Sequence, residues 1–125
     1  MKIRTFEDLD VWKLARELRK EIYKVTKTYP KDETYRLVDQ MKRAAISSTA
    51  NIAEGFGRFH FQENIQFCRQ SRGSLYEIID HLITSNDEGY LSDEGYESLK
   101  DHAYRTIKVM NGYIAMLKKK KENNG

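Results

Sequence analysis

Apolar residues recur in steps of three and four along four stretches of about 25 residues each, and almost nothing interrupts them. Val11, Ala15, Leu18, Ile22, Val25 and Tyr29 keep this spacing in the first stretch. Met41, Ala45, Ser48 and Ile52, running on to Gly55 or Phe56, keep it in the second. Ile65, Cys68, Ser71 or Arg72, Leu75, Ile79 and Leu82 follow in the third, and Tyr96, Leu99, Ala103, Ile107, Met110, Ile114 and Leu117 in the fourth. Such steps put side chains on one stripe of an α-helix, the seam along which helices of a bundle meet. There is a single proline, Pro30, which stops the first helix. The fold class this predicts is all-α, an up-down-up-down antiparallel four-helix bundle.

The boundaries come from local chemistry. Thr5 with Asp8 three residues on reads as a short-armed capping box, so the first helix spans about 5–29. Asp32 and Glu33 suit the first turn of a second helix over about 32–56, with Gly55 and Gly57 offering positive φ to end it. The third helix spans about 62–86, and Gly73 inside it suggests a close approach of a neighbouring helix. Asn86-Asp87-Glu88-Gly89 is a turn, and Ser92 caps a fourth helix over about 92–120. One domain then covers residues 1–121, and residues 122–125 form a disordered tail. Helices of this length are about 37 Å long, and short loops make successive ones antiparallel. The N-terminus, the Gly57–Phe61 loop and the C-terminal lysines share one end; the Pro30 turn and the Asn86–Ser92 turn share the other.

Composition bears on location and partners. The single cysteine, Cys68, leaves no intrachain disulfide, which fits a reducing cytoplasm. No run of apolar residues is long enough to span a membrane, and MKIRTFEDLD lacks a signal-peptide core. Net charge is only +3 but unevenly placed. Residues 77–101 carry eight acids against Lys100, whereas Lys118, Lys119, Lys120 and Lys121 close the chain. That asymmetry reads either as solvation with helix-dipole matching or as a basic end that meets phosphate.

A second stripe runs beside the seam of the second helix: Gln40, Arg43, Ser47, Asn51, Glu54 and Arg58. It is a specific contact surface or a hydrogen-bonded seam. If the second and third helices are neighbours, Asn51, Glu54, Ser74 and Glu77 could join Arg43 and Arg72 in one polar network, since buried polar groups need partners. Phe56, Phe59 and Phe61 flank Arg58 and His60. Aromatics interleaved with bases either stack on nucleotides or plug a bundle end.

No catalytic constellation stands out, and the chain reads as not an enzyme. His60, His81 and His102 are isolated. Glu77, Asp80 and His81 share part of a helix, but no Glu-x-x-His occurs as carboxylate-bridged metal bundles require. Gly55-Phe56-Gly57-Arg58 follows a helix and lacks the Gly-Lys-Ser/Thr ending of a phosphate loop. The expectation is no cofactor, no metal and no small-molecule substrate.

Phe6-Glu7-Asp8-Leu9-Asp10-Val11-Trp12-Lys13, Gln40-Met41-Lys42-Arg43-Ala44-Ala45, Asn51-Ile52-Ala53-Glu54-Gly55, Gly73-Ser74-Leu75-Tyr76-Glu77 and Gly89-Tyr90-Leu91 together carry a resemblance. In this order, over nearly the whole chain, they resemble the four-helix-bundle proteins encoded in intervening sequences of bacterial large-subunit (23S) ribosomal RNA genes. The resemblance implies a cytoplasmic bundle assembled as a ring-like homopentamer. It also implies similarity in fold to the accessory variability determinant of diversity-generating retroelements, a basic pentamer that works with a reverse transcriptase and nucleic acid. The chain departs from the family's pattern at Ser48-Thr49, where an Ile-Pro kink is common, at Asn64, where an aromatic is usual, and at Arg36, where glycine is common.

Oligomerisation has a second motive in the apolar residues off the seams: Leu9, Trp12, Leu14, Tyr23, Phe67, Ile78 and Ile83. The functional expectation is an oligomeric adaptor that binds RNA, DNA or a nucleic-acid enzyme through Arg58, His60 and Lys118 to Lys121. The alternative is a protein–protein scaffold without nucleic-acid contact.

Overall fold

The computed structural model describes residues 2–124, so Met1 and Gly125 lie outside it. Four α-helices carry the fold: α1 (Asp10–Val25), α2 (Leu37–Gly57), α3 (Phe61–Asp87) and α4 (Asp93–Asn124). No strand occurs among the described residues. α1 and α3 each pack against both α2 and α4, an all-α arrangement consistent with a four-helix bundle. No described helix is long and apolar enough to cross a membrane.

The seams do the packing that their spacing predicts. Val11, Leu18, Ile22, Met41, Ile52, Leu75, Ile79, Leu82, Leu99, Ile107, Met110 and Ile114 are all buried. They fall into two clusters. One holds Leu18, Ile22, Met41, Leu75, Leu82 and Ile107. The other holds Val11, Ile52, Ile65, Cys68, Met110 and Leu117. Between the two, in chain order on their helices, lie fully buried Ser48 and Ser71, while fully buried Thr106 sits beside Ile107 at the edge of the first cluster. Each hydroxyl finds a carbonyl. Ser71 Oγ donates to the Ser48 carbonyl at 2.7 Å, tying α3 to α2. Ser48 and Thr106 donate back within their own helices. Small side chains let the helices approach, and satisfied hydroxyls make their burial tolerable.

Side-chain contacts between neighbouring helices run in opposite chain order. Ser47 meets Ser74 and Ser48 meets Ser71. Asn64 meets Tyr113 and Arg72 meets Asn111. Arg19 meets Thr49, and Lys42 lies over the Tyr23 ring.

Several boundaries differ from those read in the sequence. The first helix is not continuous over 5–29. Phe6–Asp8 is a 3-10 turn, Leu9 is extended, and Thr26–Thr28 is a second 3-10 turn. The Asp8 half of the expected capping box is present: its carboxylate accepts from the backbone N–H of Thr5 at 3.2 Å and of Arg4 at 2.9 Å. The Arg4 bond is the largest influence holding this carboxyl below the usual range, followed by the Thr5 bond. Tyr29 is extended, as a residue before proline prefers.

α2 begins at Leu37, not Asp32. Lys31–Glu33 forms its own 3-10 turn, and Arg36 (φ −122°, ψ −103°) breaks the helical path. At Ser48-Thr49, where a proline would kink the helix, α2 runs unbroken, and both hydroxyls bond back to carbonyls three residues earlier. α4 continues helical to Asn124, across residues assigned from sequence to a disordered tail; nothing in Lys118 to Asn124 breaks a helix.

The glycines also read differently in three dimensions. Neither Gly55 nor Gly57 has positive φ; among the described residues Gly89 (φ 77°) and Phe59 (φ 53°) do. Gly55 is instead buried in close contact with Asn64 and Phe67 of α3, and Gly73 faces open space. Of the apolar residues off the seams, Leu9 and Ile78 are buried within the single chain, while Tyr23 and Ile83 are exposed.

Candidate functional site

The connection between α2 and α3 is three residues long, Arg58 to His60, and sits beside the last turns of α4. Arg58 N–H donates to the Gly55 carbonyl and Phe59 N–H to the Phe56 carbonyl, both at 3.3 Å, closing α2. Phe59 then takes the left-handed conformation that usually falls to glycine at a helix C-terminus. That single reversal lets His60 return to an extended backbone and start α3, its carbonyl accepting from Asn64 N–H at 2.9 Å. The aromatic at this turn does not plug the bundle: Phe59 is 87% exposed.

The cations expected to form one basic patch divide three ways. His60 and Lys120 rim an apolar cleft of about 360 Å³ walled by Ile3, Leu9, Phe56, Phe59, Met116 and Leu117. Lys118 and Lys121 line a groove of about 460 Å³ with Gln62, Ile65, Arg69 and Glu122, and Lys121 hydrogen-bonds to the Gln62 side chain. Arg58 joins neither. Its guanidinium lies 5.2 Å from the Phe67 ring centre and 3.3 Å from the Glu54 carboxylate. Lys119 is exposed and lines neither cleft. Arg69 was missed in the sequence. The signal was there, because Gln62, Ile65 and Arg69 follow the three-four spacing that puts them on one face.

The polar stripe likewise resolves into separate pairs. Asn51 Nδ2 donates to the Ser47 carbonyl and hydroxyl, both at 2.9 Å, and Ser74 Oγ donates to Ser47 Oγ at 2.9 Å. This chain of three joins α2 to α3, with Ser47 as its hub. Arg43 and Glu77 line the shallow groove beside it. Arg43 lies 3.9 Å from Asp39, and Glu77 pairs with His81 at 3.0 Å. Arg72 turns away to α4 and donates to Asn111 Oδ1 at 2.7 Å. Glu54 is with Arg58. The six residues therefore do not form one network, and none of them is buried in the single chain.

Chemistry that needs a nucleophile gains nothing from Cys68. It is fully buried, and burial pushes its thiol up to about 12 against the smaller opposing pull of Arg72. Its Sγ sits 3.5 Å from Asn64 Oδ1, whose amide nitrogen in turn donates to Tyr113 OH at 3.1 Å. Asn64 thus joins Cys68 and Tyr113 in a polar knot, with Asn64 and Tyr113 lining the cleft. Among the described residues no three His, Cys, Asp or Glu side chains gather as a metal-ligand set. His102 Nε2 lies 3.0 Å from the Leu14 carbonyl, a bond that ties α4 to α1.

Comparison with known proteins identifies the lineage. The family model described as 23S rRNA-intervening sequence protein matches residues 7–112, most of the chain. No curated protein matches it.

Proposed function

The chain belongs to the 23S rRNA-intervening sequence protein family, and from that premise we propose that it is a non-enzymatic, homo-oligomeric cytoplasmic bundle that contacts RNA or DNA through one basic end. The observation that carries this reading is the grouping of His60 with Lys120 beside the α2–α3 connection, and of Arg69 with Lys118 and Lys121 in a groove between the start of α3 and the last turns of α4. The reversed order of helix contacts supports the up-down-up-down course that brings these segments to one end. Exposed lysines supply charge to phosphates, not base reading, so binding is weak in one chain and indifferent to sequence. In a ring every copy presents this end on the same face, and avidity multiplies it.

Titration of a fluorescent RNA with the full chain and with a chain ending at Leu117 tests the reading. The full chain should bind at low salt and release steeply as salt rises. Removing four lysines should flatten the log–log salt dependence by up to about 3 for a single strand. Equal affinity of both chains, or no binding to either at low salt, leaves a protein–protein scaffold as the function. That second reading has an observation of its own, since Arg58 is already paired with Glu54 and Lys121 with Gln62.

A ring of five follows from the family resemblance. Its support in the structure is the exposed apolar set of Tyr23, Ile46, Tyr76, Ile83 and Tyr104. Light scattering at micromolar concentration should return five times 14.8 kDa. The mass of one chain would end the oligomeric reading.

A further inference from the structure

Phe59 is held at a backbone conformation that bulky residues avoid, yet its ring is 87% exposed. Folding of one chain does not explain it. A glycine there would close the same turn without strain, and the ring's aromatic partner among the described residues is Phe56, at 6.1 Å between centres. The turn instead sets the Phe59 side chain in the lining of the cleft that Leu9, Phe56, Met116 and Leu117 also wall. With Asn64 and Tyr113, Lys120 and the imidazole of His60 are among the polar side chains lining that cleft. Its volume, about 360 Å³, lies at the small end of the range for ligand sites, roughly 300–1,000 Å³.

We infer that this cleft takes one unpaired base of a single-stranded nucleic acid, stacked on Phe59, with the adjoining phosphates at His60 and Lys120. The inference rests on the basic-end reading above and deepens it by naming the ligand class. An exposed ring beside a lysine is the pairing that single-strand sites use, because every base has a face to stack and every nucleotide a phosphate to neutralise. A duplex keeps its bases paired and stacked within the helix, so it offers the rim its charge and the ring nothing. Charge complementarity also selects the occupant: the cleft is lined mostly by apolar side chains with Lys120 among them, and Arg69, Lys118 and Lys121, against Glu122, line the neighbouring groove.

The test uses the full chain, a short RNA strand carrying 2-aminopurine in mid-strand, the matching duplex, and inorganic polyphosphate as a base-free anion. The wild-type chain should bind the strand more tightly than the duplex and change the 2-aminopurine emission. Phe59→Ala should lose about tenfold in affinity for the strand. It should abolish the emission change, leave duplex and polyphosphate binding as they were, and keep the light-scattering mass. Phe59→Trp keeps a ring and should retain strand binding. Strand binding and emission change that survive in Phe59→Ala overturn the base site while leaving lysine-driven binding in place. A fall in mass in Phe59→Ala overturns it too, because the ring then serves a contact between copies. Binding of an acidic peptide that Phe59→Ala abolishes, with no emission change from RNA, assigns the cleft to protein. Absence of RNA binding at low salt removes both the base site and the basic-end reading.

Discussion

Leu75→Ala should lower the free energy of unfolding by about 2–5 kcal/mol, the range for removing three carbons from a closed core. Leu75 is fully buried on α3, in the cluster that also holds Leu18, Ile22, Met41 and Ile107, and so receives residues from all four helices. A cavity there cannot collapse by moving one element, because each helix is already fixed by two neighbours. Urea unfolding should be compared at one protein concentration, since assembly would add a concentration-dependent term. A loss below about 1 kcal/mol would mean that Leu75 is not sealed in a packed core.

The core was legible because helical spacing is a property of the chain alone. Val11, Leu18, Ile22 and the other seam residues could be assigned to an interior without knowing which helix faced them. Leu9 and Ile78 were not, though both are buried. A bundle helix touches two neighbours, so its apolar face is wider than one seam. The start of α2 was illegible for a different reason. Asp32 and Glu33 suit a first turn wherever it falls, and the backbone break at Arg36 leaves no mark in the pattern of side chains.

At the candidate site, rotation about the helix axis decided what sequence order could not. Lys118 to Lys121 are adjacent in sequence, but successive residues of an α-helix are turned by about 100°. Four in a row therefore spread around the helix, two in one groove, one on the rim of the other, and one in solvent. The same geometry separates Ser74 from Arg72. They are two residues apart, about 200° around the helix. Ser74 meets Ser47 on α2, so Arg72 must look elsewhere, and it meets Asn111 on α4. This was readable in the sequence, once the facing helix was fixed. The left-handed Phe59 was not: two nearby glycines, Gly55 and Gly57, were the better candidates by residue type.

Those glycines lead to the second large effect. Gly55→Ala should destabilise the protein by about 1–3 kcal/mol, the usual effect of forcing a methyl group into a closed contact. An added Cβ would stand 2.8 Å from Asn64 Oδ1, 2.9 Å from Phe67 Cβ and 3.1 Å from the Asn64 carbonyl oxygen. The Asn64 amide could swing aside, at the expense of its bonds with Tyr113 and Cys68. The other two atoms move only with the α3 backbone, so the two helices must part at this contact. Gly73→Ala makes the same chemical change on a surface where nothing lies within 4 Å. There alanine's better helix propensity should dominate and raise stability by about 0.5–1 kcal/mol. Opposite signs for the two substitutions, measured by urea unfolding at equal concentration, are the expected result. A neutral or stabilising Gly55→Ala would sink the close-approach assignment. A destabilising Gly73→Ala accompanied by a lower light-scattering mass would put the exposed face of α3 against a neighbouring copy, where a glycine makes room between chains instead of within one.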